Sequence, residues 1–150
     1  ARRVQAMLIA GEMAEAEALI SVFLKNNPTS AEAQRLAGWL AAYSADWDRA
    51  LIIYQTLRRS GSGRDVQLLT HLALSQIKAG DGPAAQDTAR AAYRLQRSNP
   101  AAAQAWGLAL AATGERPETA RALLAKARAM MGDSPLLREA RQKLAIGGPN

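Results

Sequence analysis

The sequence predicts an all-α protein built as a row of antiparallel helix pairs, and three observations carry that reading. Gly11, Ala45, Gly80 and Gly114 stand 34, 35 and 34 positions apart, each between two stretches with helical periodicity. Gly38, Ala73 and Gly107 keep the same beat, at 35 and then 34. Small residues repeating in phase on two sides of a turn mark helices whose backbones approach closely. A period near 34 marks a stacked array rather than one globular core. Composition is the third observation: 49% hydrophobic but only 5% aromatic residues suits close-packed, alanine-rich helices.

The elements follow in order. Val4, Met7 and Leu8 give the apolar face of a helix from Arg3 to Ala10, which stops at Gly11. Ala16, Leu19, Ile20 and Phe23 recur at three and four, so the next helix spans about Glu12 to Asn26. Asn27-Pro28 ends it, because a residue before proline avoids the helical region. Thr29 and Glu32 have the spacing of a capping box for a helix reaching Ser44. Asp46 opens its partner, which runs to about Arg59. Ser60-Gly61-Ser62-Gly63 reads as a loop or hinge between pairs, since the repeat phase survives across it. Asp65 caps a helix to Ala79, and Gly80-Asp81-Gly82-Pro83 turns into another ending near Ser98. Asn99-Pro100 and Ser134-Pro135 each place a cap before a proline at the first helical position, where no donor is lost. Gly114 and Pro117 mark the fourth turn, and the last helix fades at Gly147-Gly148-Pro149.

These residues resemble the tetratricopeptide repeat family. The second unit carries Ala31-Glu32-Ala33, Gly38, Ala45-Asp46-Trp47, Ala50, Tyr54 and Leu57. The third carries Leu72-Ala73, Gly80-Asp81, Ala85, Ala89 and Ala92. The fourth has Trp106-Gly107, Gly114-Glu115 and Ala120, the last one position late, so its turn is expected to be irregular. The first is partial, and the family's proline near the end of the second helix is in place only at Pro28. The resemblance implies a single domain forming a right-handed superhelix of about four repeats, over 1–30, 31–65, 66–99 and 100–133, with a capping helix over 134–146. It implies a protein-interaction scaffold. Pentatricopeptide repeats share the length, but Arg35, Thr70 and Gln104 show none of the consistent polar type a base-reading code needs.

Chemistry is thinly represented. One histidine, His71, and no cysteine leave nothing to build a nucleophile–base pair or a metal site, so neither enzyme activity nor a cofactor is expected. Asp46, Asp48, Glu115 and Glu118 lie at helix starts, where acids meet the macrodipole favourably. No apolar run approaches the roughly 20 residues of a membrane span. A start at Ala1, without methionine and already in a helical pattern, reads as a fragment or processed product. The cytoplasm and the bacterial cell envelope both stay open as locations. The net charge of +6 includes a stripe of Arg90, Arg94 and Arg97 on one helix face. Binding of nucleic acid or an anionic surface there is the alternative reading, although a solvated outer wall explains the stripe more simply.

The family's arrangement implies an inner wall lined by first-helix residues. On this chain the candidates are Leu8, Arg35, Trp39, Tyr43, Thr70, His71, Leu74, Lys78, Gln104 and Leu108. Arg35, Trp39 and Tyr43 are four apart on one face and belong to the types enriched in binding hot spots. Trp39 is therefore expected to be an accessible groove anchor. Trp47 and Trp106 are expected in the core, Trp47 the deeper. A protein or peptide partner is implied, and self-association through the open first helix is a third reading. The residues do not fit the subgroup that clamps chaperone tails, whose basic places are held by Ala1, Gln5, Leu36, Gln67 and His71.

Overall fold

The computed structural model describes the backbone of residues 2–147, and the side chains of all of these except residues 2, 5, 8, 9, 62, 146 and 147. Among the described residues every regular element is helical. They are α1 (Arg2–Ala10), α2 (Met13–Asn26), α3 (Ala31–Tyr43), α4 (Trp47–Leu57), α5 (Val66–Lys78), α6 (Gly82–Leu95), α7 (Pro100–Thr113), α8 (Pro117–Met131) and α9 (Pro135–Gly147). The chain divides into two compact units, Ala1–Gly63 and Arg64–Asn150. The division falls at the Ser60–Gly63 stretch. There α4 runs into a π-type turn, Arg58–Ser62, in which Ser60 and Gly61 leave helical geometry. Gly61 takes φ 116°, a conformation that costs glycine little and other residues much.

In each unit, every helix packs on the next and the first helices of the pairs stack on one another. Thus α1 meets α3 in the first unit, while α5 meets α7 and α7 meets α9 in the second. The repeated small residues explain both contacts and turns. Gly11, Ala45, Gly80 and Gly114 all adopt left-handed φ, between 59° and 85°, at the turn inside each pair. In the fourth turn Arg116 does so as well, at φ 46°, which accounts for the late Ala120. The other series marks close approach. A Cβ on Gly38 would lie 2.9 Å from the Tyr54 ring, and one on Gly107 would lie 2.9 Å from Leu124. Ala73 is fully buried in a seam with Ala85, Ala89, Ala105 and Ala109, where three helices meet through alanine methyl groups and Ile77 and Trp106 pack against them.

Side-chain caps begin most of the helices. Asp65 accepts from the Leu68 amide at 3.1 Å and Asp81 from that of Ala84 at 3.2 Å. Asn99 accepts from Ala101 at 2.9 Å, and Ser134 from Leu137 at 3.2 Å. One cap is corrected: α3 is capped by Ser30, which accepts from Ala33, rather than by Thr29. The Ser30 amide donates to the Asn27 carbonyl and closes a turn through Pro28 and Thr29, so the chain turns helical one residue later. Ser75 and Thr88, both buried, donate their hydroxyls to the carbonyls of His71 and Ala84 one turn back, so no polar atom of theirs is stranded.

Candidate functional site

The ten expected groove residues fall in different settings, and the correction with most consequence is Trp39. Its indole is only 6% exposed, whereas Trp47 and Trp106 are half-buried, which reverses the expected order. The reason lies in helix geometry. Side chains on a helix lean toward its N-terminus, so a residue four positions on covers the one before it. Tyr43 does this, with its ring centroid 6.2 Å from that of Trp39, and Tyr43 is 45% exposed in its place. Arg35 is half-buried and within electrostatic reach of the Tyr54 phenol. Burial drives that phenol's pKa far above the usual tyrosine range, and the Arg35 charge opposes the shift. The Leu8 side chain lies outside the described residues.

In the second unit Thr70 is buried, and its hydroxyl donates back to the Gln67 carbonyl at 2.8 Å. Thr70 is thus a packing residue and not a groove contact. His71 is half-buried; burial lowers its pKa to about 4 against a partial opposing effect of Asp65, so the imidazole is neutral at pH 7. Gln104 is half-buried on α7. Leu74, Lys78 and Leu108 do come together. They line a groove of about 220 Å³ formed by three first helices, α5, α7 and α9.

The floor of this groove is apolar: Leu74 and Ile77 from α5, Leu108, Ala111 and Ala112 from α7, Leu136 and Ala140 from α9. Leu108 is only 7% exposed, so it is floor rather than wall. The rim is charged. Glu139 lies 4.0 Å from the Lys78 ammonium and 3.8 Å from that of Lys143, leaving one net positive charge at the opening. The α9 residues were missed because that helix reads as a cap. A usable signal existed, since a further step of 35 from Gln104 and Leu108 lands on Glu139 and Lys143.

The expected stripe is only partly helical: Arg90 and Arg94 lie on α6, whereas the helix ends at Leu95 and Arg97 falls in the turn after it. Arg90 lies 3.4 Å from Asp87, and Arg94 and Arg97 are exposed. One ring system lies beside it. Tyr93 meets Trp106 with centroids 5.1 Å apart, and Lys126 of α8 lies 5.2 Å from the Tyr93 ring centre. Lys126 also donates to the Arg97 carbonyl at 2.8 Å. The aromatic is thereby covered rather than offered for base stacking. Among the described residues no group of acids and histidine could hold a metal, and no helix is long and apolar enough to cross a membrane.

No family model and no curated protein matches the chain by sequence. Solved structures do match by fold. A thermophilic tetratricopeptide protein, TTC0263 of Thermus thermophilus, is similar with a TM-score of 0.76 at 22% identity, over 97% of this chain and 79% of that one. The first tetratricopeptide domain of Spaghetti (RPAP3), bound to the HSP90 peptide SRMEEVD, is similar with a TM-score of 0.63 at 17% identity, over 77% and 90%. The first such domain of human RPAP3 gives 0.63 at 20% identity, over 81% and 97%. The chain has the tetratricopeptide fold.

Proposed function

We propose that this protein is an interaction scaffold, binding rather than catalysing, and that it holds a peptide or partner helix against its first helices. The observation that carries the reading is the α5–α7–α9 groove, with an aliphatic floor beneath a Lys78–Glu139–Lys143 rim. An apolar floor supplies affinity by releasing water from aliphatic surface, and the charged rim orients the ligand. A fold shared with a domain solved on a peptide supports the same use of this one. In the first unit, Tyr43 takes over the contact role expected of Trp39, because it is the aromatic that meets solvent.

The test is selection of peptides from a random displayed library against the intact chain. Selected peptides should bind with little salt dependence. Ala112→Trp, which fills the groove from an exposed position, should weaken them about tenfold or more, the range of a lost interface anchor. Arg90→Ala, Arg94→Ala and Arg97→Ala together should leave binding nearly intact. Binding that falls steeply and log-linearly with salt, survives Ala112→Trp and is lost in the arginine triple variant would overturn the reading in favour of an anionic ligand on α6.

A further inference from the structure

The joins between helices differ in how they treat a basic residue. Among the described residues, the joins that carry lysine or arginine are 58–65, 96–99 and 114–116. Arg116 is followed by Pro117, so the bond after it has no N–H and is flanked by a rigid ring. Arg97 has its carbonyl held by the Lys126 ammonium at 2.8 Å. The Asn99 amide closes the same turn onto the Gln96 carbonyl at 3.1 Å. In both joins the peptide bond after the arginine is shielded from attack.

The join 58–65 has neither device. Arg58, Arg59 and Arg64 bracket four small residues, Ser60-Gly61-Ser62-Gly63. Arg58 and Arg59 prolong α4 into the π-type turn, and helical geometry is lost at Ser60 and Gly61. The joins 27–30, 96–99 and 132–134 each hold or precede a proline, whose ring fixes φ, whereas 58–65 is followed by Val66 and holds none. Residues 58–61, 63 and 64 are exposed, while Leu57 and Val66 on either side are buried. The chain can therefore open between Leu57 and Val66 without drawing a core side chain into water, which is what makes local opening easy. Exposed chain with small polar residues is where proteolytic nicking concentrates.

Three bonds follow these arginines, and they are not equivalent. Arg58–Arg59 lies in helical backbone, with Arg58 at φ −59° and ψ −45°. Arg64 is followed by Asp65, whose carboxylate is committed to the Leu68 amide at 3.1 Å as the cap of α5. Arg59–Ser60 leads straight into the non-helical stretch, with only small side chains after it.

We propose that the Arg59–Ser60 bond is a processing site for an arginine-directed endopeptidase, one whose primary specificity pocket carries an acid. Arg59 fills that pocket. Hydrolysis adds one water across the bond. The Arg59 carbonyl carbon takes the water oxygen and becomes a carboxylate, the Ser60 nitrogen takes the proton and leaves as an ammonium, and nothing is oxidised or reduced. The cut falls near the end of the first compact unit, Ala1–Gly63. Every residue lining the α5–α7–α9 groove, from Leu74 to Lys143, stays on the product that begins at Ser60. Cleavage thus separates the groove from the helices before it, and the cut itself does not depend on what the groove binds.

Trypsin is the probe, used on the intact chain under native conditions with the products identified by intact mass. The first cut between residues 12 and 134 should follow Arg59, and the product beginning at Ser60 should accumulate. Arg58→Gln, Arg59→Gln and Arg64→Gln together should lengthen the lifetime of chains uncut over that range about tenfold or more, because the remaining bonds open only with the fold. Arg94→Gln, Arg97→Gln and Arg116→Gln, the same change in net charge, should leave it within about twofold, as exposed substitutions do. Circular dichroism of each variant establishes that it is folded. A first cut after Lys78, after Arg97 or inside a helix would overturn the proposal, and a first cut after Arg58 or Arg64 would overturn its choice of bond. Loss of the chain with no accumulation of the Ser60 product would mark cutting through global unfolding and overturn it too. So would an unchanged lifetime in the first triple variant.

Discussion

Replacing Gly107 by alanine puts the repeat register to a quantitative test. A methyl group there would stand 2.9 Å from both Cγ and Cδ2 of Leu124 and 3.2 Å from Cβ of Leu123. Carbon atoms pack best at about 3.5–4.0 Å, so three contacts are each short by roughly half an ångström. Leu124 is 2% exposed and belongs to the same cluster as Leu137 and Leu144 of α9, so it has nowhere to withdraw. Overpacking of this kind costs about 1–3 kcal/mol. Alanine regains up to about 1 kcal/mol over glycine in a helix interior. With the full helix gain, the balance is a net loss of up to about 2 kcal/mol, or up to roughly 8 °C in Tm for a chain of this size. Urea unfolding followed by far-ultraviolet circular dichroism measures it. A double-mutant cycle then isolates the cause, because in a Leu124→Ala background the two 2.9 Å contacts are gone and only the 3.2 Å approach to Leu123 remains, so the penalty of Gly107→Ala should shrink. A urea midpoint above the parent's in the single variant would refute the reasoning, and so would an equal penalty in both backgrounds.

Three further outcomes follow from the same structure. Ala45 holds φ 59° where its three counterparts are glycine. Ala45→Gly should raise stability by several tenths of a kcal/mol up to about 1, since left-handed strain of about 1–2 kcal/mol exceeds the added freedom of the unfolded chain; a lower urea midpoint would contradict this. Trp39→Ala should destabilise by about 3–5 kcal/mol, as truncation of a buried aromatic does, and an unchanged unfolding midpoint would return the indole to the surface. His71 favours its neutral form when folded, with a pKa lowered from 6.5 to about 4, so the unfolded chain binds the extra proton between those values. Its contribution is complete above pH 6.5 and is lost as pH falls through that window, by up to about 3 kcal/mol. The parent's stability should therefore decline more steeply there than that of His71→Gln, and parallel curves would remove the histidine from the account.

The helix pairs were legible because their signals are local. Gly80 and Gly114 mark turns that need left-handed φ, Asp65 and Asn99 cap with their own side chains, and Gly38 and Gly107 mark contacts that admit no Cβ. Each depends on a few neighbouring residues and recurs at the repeat period, so the sequence alone determined the fold class and the register. The direction of a side chain follows from register too, which is why Leu74, Lys78 and Leu108 were found on one groove. Depth does not follow. Whether Trp39 or Tyr43 meets solvent depends on how one ring leans over another, and whether Thr70 is groove or packing depends on what surrounds it. The part of α9 in the groove likewise arises only when helices distant in sequence are brought together. Exposure and enclosed volume are sums over neighbours from several helices, so tertiary packing alone decided them.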